Sequence, residues 1–340
     1  MKAARLHAYG EHPVVEEIAE PVVTGPFDVL VRVGGAGLCR TDLHVIDGVF
    51  RELAKPLPYV IGHETAGWVH AVGPGVIDLQ PGEPVILLPF VSCGFCRACR
   101  EGVDQHCERF QFAGTTVDGG FAEFVATTAR SIVKLGPSSA PAAVAGLADG
   151  GLAAYRAVRR SVALLPPGST VVVLGAGGLG HIAIQLLRAM TAAEVVVVDR
   201  SEAALALAKT LGSHLVVLAD GTHVKAVRDA TAGRGADVVL DFVGDGTTPG
   251  EALSMLARRG TYLIVGYGGT LQIPTADLVA GELSIGGSLI GTHNELVELI
   301  ALAERGMVTV TTRTYPLDAI NDAIEDLREG RIQGRAVIIP

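Results

Sequence analysis

Two patterns of apolar and polar positions divide the chain. Over residues 1–135, short apolar runs alternate with turn residues: AARLHAY, PVVEEI and DVLVRVGGAG early on, PGEPVILLPF further along, and GGFAEFVATTARSIVKL at 119–135. Short β-branched runs punctuated by Gly and Pro predict strands of a small antiparallel sheet or barrel. Beyond Pro137 the pattern lengthens. SSAPAAVAGLADGGLAAYRAVRRSVALL is Ala-rich with helical spacing and ends at PPG, residues 166–168. Strand-like and helix-like stretches then alternate through EVVVVD, SEAALALAKTLG, HLVVL, HVKAVRDATAG, ADVVLDFVG and EALSMLARRGTYLIVG. That alternation predicts a doubly wound parallel sheet, in which ligands sit outside the carboxyl ends of the strands. Near the end, ELVELIALAERGMV and LDAINDAIEDLREG read as amphipathic helices and RAVIIP as a strand. This tail is expected to return to the first domain.

The sharpest local signal lies at 171–199. A β-branched run enters Gly175-Ala176-Gly177-Gly178-Leu179-Gly180, an apolar helical stretch follows, and a second β-branched run ends in Asp199. Gly175 permits the tight turn, Gly177 lets backbone amides approach a pyrophosphate, and Gly180 lets the helix pack closely on the strand. The helix N-terminus adds further amides and the positive end of its dipole. Asp199, nineteen residues after Gly180, can accept from an adenosine ribose and repel a 2′-phosphate, so NAD is expected in preference to NADP. Arg200 complicates that choice, since it can stack on adenine or meet a phosphate. The competing reading is a Gly-rich turn in an ordinary α/β sheet.

At 340 residues the chain is long enough for about two domains, each with its own core. Apolar residues make up 49% and charged residues 19%, which fits a well-buried globular chain. A net charge of −9 argues against nucleic acid as a partner, because phosphate neutralisation needs clustered Lys and Arg. No apolar run is long enough to span a membrane. The stretch MKAARLHAYGEHPVVEE has no apolar leader segment, so a cytoplasmic location is expected. Clustered cysteines in that compartment are read as metal ligands before disulfides.

Four of the five cysteines, Cys93, Cys96, Cys99 and Cys107, follow C-x2-C-x2-C-x7-C. Four thiolates at that spacing suit a closed, structural tetrahedral zinc site, with an iron–sulfur centre or disulfides as alternatives. The fifth, Cys39, stands alone. Taken singly it reads as a small buried apolar residue, and His63 as a satisfied histidine. Both are placed in Gly-rich loops at strand ends. Asp42 is suited to orient an imidazole and Glu64 to lie beneath a metal, so a second, catalytic zinc stays open on spacing alone.

GLCRTDLH (37–44), GHETAGWVHAVGPGV (62–76), the four-cysteine run and VLGAGGLG (173–180) occur in one order over nearly the whole chain. Together they resemble the zinc-dependent medium-chain alcohol dehydrogenases. The resemblance implies an α/β chain with a GroES-like β-rich catalytic domain at 1–151 and 292–340 and a Rossmann cofactor domain at 152–291. It implies two zinc ions per subunit and reversible hydride transfer between NAD and an alcohol, ketone or aldehyde. Cys39 and His63 match zinc ligands, Asp42 the carboxylate holding the ligand imidazole, and Glu64 the acid behind the metal. Thr41 matches the hydroxyl that takes the alcohol proton, and His44 the histidine that passes it on. Arg40 matches a pyrophosphate partner, and Arg335 is expected to reach the cofactor. Val243, Val265 and Tyr267 fall where the nicotinamide would rest, though each can equally be sheet core.

The chain departs from many family members at the third zinc ligand. A cysteine is common there, but no cysteine is left over, and the matching position is Asp149. Its competitors are Glu64 swinging in, or a helix-capping role for Asp149. Thr41, Val49, Phe50, Pro89, Phe90 and Leu289 are the expected substrate walls, with Trp68 a further candidate that reads more readily as core. Their apolar character points to a hydrophobic, secondary or aromatic alcohol. A polyol dehydrogenase of the same superfamily and a non-catalytic nucleotide sensor are the rival readings. SIGGSLIGT (284–292) reads as a β-rich edge segment, and the resemblance implies that such an edge pairs between subunits of a homotetramer.

Overall fold

The computed structural model describes every residue, Met1–Pro340. The chain divides into two compact units. One comprises Met1–Leu152, Gly291–Gly306 and Val310–Pro340, the other Ala153–Ile290 and Met307–Thr309.

The first unit is built on a seven-stranded sheet. Its order is Ile132–Lys134, Pro84–Leu87, Glu64–Val72, Asp28–Leu38, Arg335–Ile339 and Thr312–Pro316, and Phe124–Thr128 also pairs with Asp28–Leu38. A three-stranded sheet joins Val14–Glu17, Lys2–Leu6 and Tyr59–Val60. The tail closes this unit. Ala336, Val337 and Ile338 pair antiparallel with Leu38, Gly37 and Ala36. Ile320, Ile324 and Ile338 share one core with Leu6, Val31, Ile46, Tyr59 and Phe121.

Register in this sheet places the chemistry. Gly37 faces Val337 on one side and Glu64 on the other, at the end of the strand that leads into Cys39. A Cβ on Gly37 would collide with the Glu64 carboxylate, so the glycine makes room for that acid. After Cys39 the chain forms the helix Arg40–Ile46. Asp42 secures its start, because Oδ2 accepts the Cys39 amide at 2.8 Å.

The second unit holds a six-stranded parallel sheet. Its order is Leu215–Leu218, Glu194–Asp199, Thr170–Leu174, Ala236–Asp241, Leu256–Ile264 and Ser284–Gly287. Every residue of Thr170–Leu174 is buried, as expected for a central parallel strand covered on both faces. Each of its valines contributes about 1.5–3 kcal/mol by leaving water. The strand Leu256–Ile264 begins inside the stretch whose spacing reads as helix, at LARR. The positive φ of 64° at Arg259 marks the bend there. Its apolar half, TYLI, pairs in register with Val238–Asp241 through Thr261, Tyr262, Leu263 and Ile264.

Candidate active site

The ligating atoms of Cys39, His63, Glu64 and Asp149 all lie within 4.8 Å of one another, and all four residues belong to the first unit. Local structure assigns them different jobs. His63 is 2% exposed, and its Nδ1 lies 2.9 Å from Asp42 Oδ1. Asp42 therefore fixes both the helix start and the ring, whose Nδ1–H donates to it. That leaves Nε2 as a lone-pair donor aimed into the cluster, buried and without a hydrogen-bond partner. Nε2 sits 3.4 Å from Asp149 Oδ2, and Asp149 Oδ1 is likewise buried without a partner. Burial alone would lower the His63 pKa. The Asp42 charge leads the opposing influences, with Asp149 and Cys39 beside it, and together they hold the imidazole well above its usual value.

Glu64 is fully buried, and both of its oxygens are engaged. Oε1 accepts the Gly150 amide at 2.7 Å, and Arg335 donates to both oxygens, with Nε at 2.7 Å from Oε2. Burial pushes this carboxyl upward, and the Arg335 charge pulls it only part of the way back. Arg335 thus pairs with Glu64 inside the first unit. Two of its three guanidinium nitrogens are turned onto Glu64, and the residue is 4% exposed. The strand pairing that sets Arg335–Ile339 beside Asp28–Leu38 delivers it there.

Thr41 and His44 lie one turn apart on the helix Arg40–Ile46, both half-buried, with Arg40 exposed at its start. The His44 ring stands 6.5 Å from that of Phe50. Phe112, which no sequence signal singles out, packs its ring 5.1 Å from His63. It stacks in turn on Phe110, which contacts Phe90. Trp68 is four residues beyond Glu64 on one strand, roughly 13 Å away at strand rise. It lies under the Arg32 guanidinium and is no part of the site.

The second cluster is the cysteine lobe. Cys93 and Cys99 Sγ are 4.0 Å apart, and Cys96 and Cys99 Sγ 3.5 Å. These separations are too long for disulfides and right for sulfurs around one metal, where bonds of about 2.3 Å place neighbours roughly 3.8 Å apart. Backbone amides serve the sulfurs. Phe95 and Cys96 donate to Cys93, and Cys93 and Arg109 donate to Cys107. The amides of Phe95 and Cys96 lower the Cys93 pKa to about 6, whereas burial pushes Cys99 up to about 12. Both donor sets therefore fit a zinc ion.

In the second unit the Gly-rich turn follows Thr170–Leu174. Gly175 has φ of +86°, and a Cβ on Gly180 would run into the Gly175 carbonyl, so the helix Gly180–Met190 can start there only with glycine. Gly177 has open space where a side chain would stand, and Gly178 and Leu179 lead into the helix. Asp199 ties the turn down, accepting Ala176 N at 2.7 Å and Ser201 N at 2.8 Å. Arg200 is exposed beside it. Val243 and Tyr267, 42% and 49% exposed, follow the two neighbouring strands, with Val265 half-buried.

Residues 25–137 match the alcohol dehydrogenase GroES-like domain and residues 178–305 the zinc-binding dehydrogenase family. An NAD-dependent alcohol dehydrogenase of Sulfolobus acidocaldarius is 38% identical over 350 residues, covering 99% of each chain. The crystal structure of the alcohol dehydrogenase of Aeropyrum pernix superposes with a TM-score of 0.97 at 47% identity, covering 100% of both chains. This chain belongs to the zinc-dependent medium-chain alcohol dehydrogenases. The family is not uniform, since a D-arabinose 1-dehydrogenase (NADP(+)) of Saccharolobus solfataricus is 34% identical, covering 100% of this chain and 97% of its own. Both Glu64 oxygens are engaged, whereas Asp149 Oδ1 is buried without a partner. Spacing alone left those two acids as competitors.

Proposed function

We propose that this chain is an NAD-dependent alcohol dehydrogenase acting on hydrophobic, secondary or aromatic alcohols, with one catalytic and one structural zinc per subunit. The unpartnered His63 Nε2 and Asp149 Oδ1, converging with Cys39, carry the reading. Cys39, His63 and Asp149 hold the catalytic ion, Glu64 lies behind it, and the four lobe cysteines hold the other. Zinc bound there supplies a Lewis acid for an alcohol oxygen, and the nicotinamide supplies the hydride acceptor. Thr41 accepts a hydrogen bond from the alcohol and His44, one turn on, passes the proton outward. Phe50, Phe90 and Phe112 favour an apolar substrate over a sugar. Arg40 and the amides at 175–180 favour a pyrophosphate, and Asp199 favours NAD over NADP. The exposed edge Ser284–Gly287 favours pairing with a second copy, within a cytoplasmic homotetramer.

Steady-state rates over primary, secondary, aromatic and polyol substrates with NAD and NADP test this. Secondary or aromatic alcohols with NAD are expected to give kcat/KM at least about tenfold above polyols, the effect of roughly 1.4 kcal/mol in transition-state binding. A preference for D-arabinose or for a polyol sinks the substrate assignment.

Asp149 is tested separately. Asp149→Ala is expected to bring zinc content from two ions per chain to one, with the lobe ion retained, and to cut turnover by at least about a hundredfold. Metal analysis that still finds two ions assigns the third ligand elsewhere.

A further inference from the structure

Asp241 is used by neither zinc cluster, yet it is 0% exposed and its carboxylate is fully hydrogen-bonded. Oδ1 accepts the amides of Val243 at 2.9 Å and Gly244 at 2.8 Å. Oδ2 accepts the Tyr262 hydroxyl at 2.6 Å. Three donors on two oxygens make a buried carboxylate tolerable, and without them burial would be prohibitive. The Asp241 carbonyl accepts Val265 and Gly266 amides at 2.9 and 3.0 Å, and Gly269 N donates to Gly244 O at 2.8 Å. One residue therefore ties together the loops that follow two neighbouring strands, Ala236–Asp241 and Leu256–Ile264.

Position gives this tie a use. Asp241 pairs with Leu174, the last residue before the Gly-rich turn. A Cβ on Gly175 would stand 2.8 Å from Val243 Cγ2, so Val243 is held directly against that turn. Asp199, which secures the turn from the other side, lies on the strand flanking Thr170–Leu174 opposite to Ala236–Asp241. Two buried or half-buried aspartates thus flank one turn, one on the adenosine side and one on the side of Val243, Val265 and Tyr267.

We propose that Asp241 is a positioning residue for the nicotinamide half of the cofactor, acting through Val243 and Gly244 with Tyr262 locking its carboxylate. This rests on the NAD reading given above. Asn at this position keeps an oxygen for the two amides and offers its NH2 to the Tyr262 oxygen, so the turn is retained. Ala removes all three acceptors at once. Tyr262→Phe removes one lock and leaves the amide bonds in place.

The test measures binding of NADH and of 5′-AMP by isothermal titration calorimetry in the full-length, zinc-loaded protein. Asp241→Ala is expected to weaken NADH by about 10- to 100-fold while AMP stays within about threefold, because only one half of the site loses its support. Asp241→Asn is expected to stay within about threefold for both ligands, and Tyr262→Phe to weaken NADH alone by about threefold or more. NADH and AMP weakening together, as a general structural role predicts, overturns the proposal, as does NADH binding unchanged in Asp241→Ala. If Asp241→Ala does not fold, Tyr262→Phe decides by the same split. Wild-type protein that binds AMP but not NADH sinks the cofactor reading itself, whereas tight NADH binding unaffected by these variants sinks only the role of Asp241.

Discussion

Replacing Cys39 with Ala is expected to lower kcat by about three orders of magnitude or more, with zinc content falling from two ions per chain to one and far-UV circular dichroism unchanged. The sulfur is one of only three donors not already committed elsewhere, since both Glu64 oxygens are taken. A pair of remaining donors, one neutral and one anionic, holds zinc poorly. Loss of a Lewis acid worth several kcal/mol of transition-state stabilisation translates to roughly a thousandfold in rate at about 1.4 kcal/mol per decade. The fold survives because Cys39 contributes to the helix start through its backbone. Its amide donates to Asp42 and its carbonyl accepts Asp42 N, neither of which needs the thiol. The side chain itself is small, so the vacated volume costs only about 1 kcal/mol. Turnover within tenfold of wild type, with the metal lost, would show that this ion takes no part in the chemistry.

Much of this architecture was legible because periodicity is a local property. The Val-rich runs at 171–174 and 195–198 can only be buried on both faces, and the glycines between them fit one kind of turn. The four lobe cysteines lie close in sequence, so their spacing is nearly their geometry. Three things were hidden for equally physical reasons. The helix Arg40–Ile46 is short and opens on polar residues, so no apolar stripe announces it. The strand Thr312–Pro316, TRTYP, has four of its five residues exposed and carries no alternating pattern. The contact between Arg335 and Glu64 spans 271 positions and exists only because the tail strand adds beside Asp28–Leu38. A charged residue opening an apolar terminal strand, as Arg335 does in RAVIIP, is the one sequence hint that a buried partner awaits it. Phe112 lies in RFQF, where nothing distinguishes a ring that meets His63 from one in the core.

That buried pair yields the largest expected effect on stability. Arg335→Ala is expected to destabilise the first unit by about 3–5 kcal/mol at pH 8, the cost of leaving one member of a buried ion pair without its partner. For a unit of this size that lowers Tm by on the order of 10 °C. The loss should depend on pH, with a sign that follows from Glu64. Burial already holds its carboxyl above the usual value even with Arg335 present, and removal of the guanidinium takes away the main opposing influence. A carboxyl whose pKa is higher folded than unfolded binds more protons in the native state, so stability falls as pH rises between the two values. The variant should therefore lie closest to wild type at the acidic end of the range, where Glu64 takes up a proton most readily, and fall away by up to about 1.4 kcal/mol per pH unit as the pH rises. Adding Glu64→Gln to Arg335→Ala should recover part of the loss at pH 8 and flatten the pH dependence, because position 64 then carries no buried charge left without its partner. Thermal melts of the two variants from pH 5 to pH 8, with chelator present throughout so that no bound cation acts on Glu64, separate the outcomes. A loss equal at both ends of that range would mean that the packing of the Arg335 side chain, and not its charge on Glu64, holds the tail strand in place.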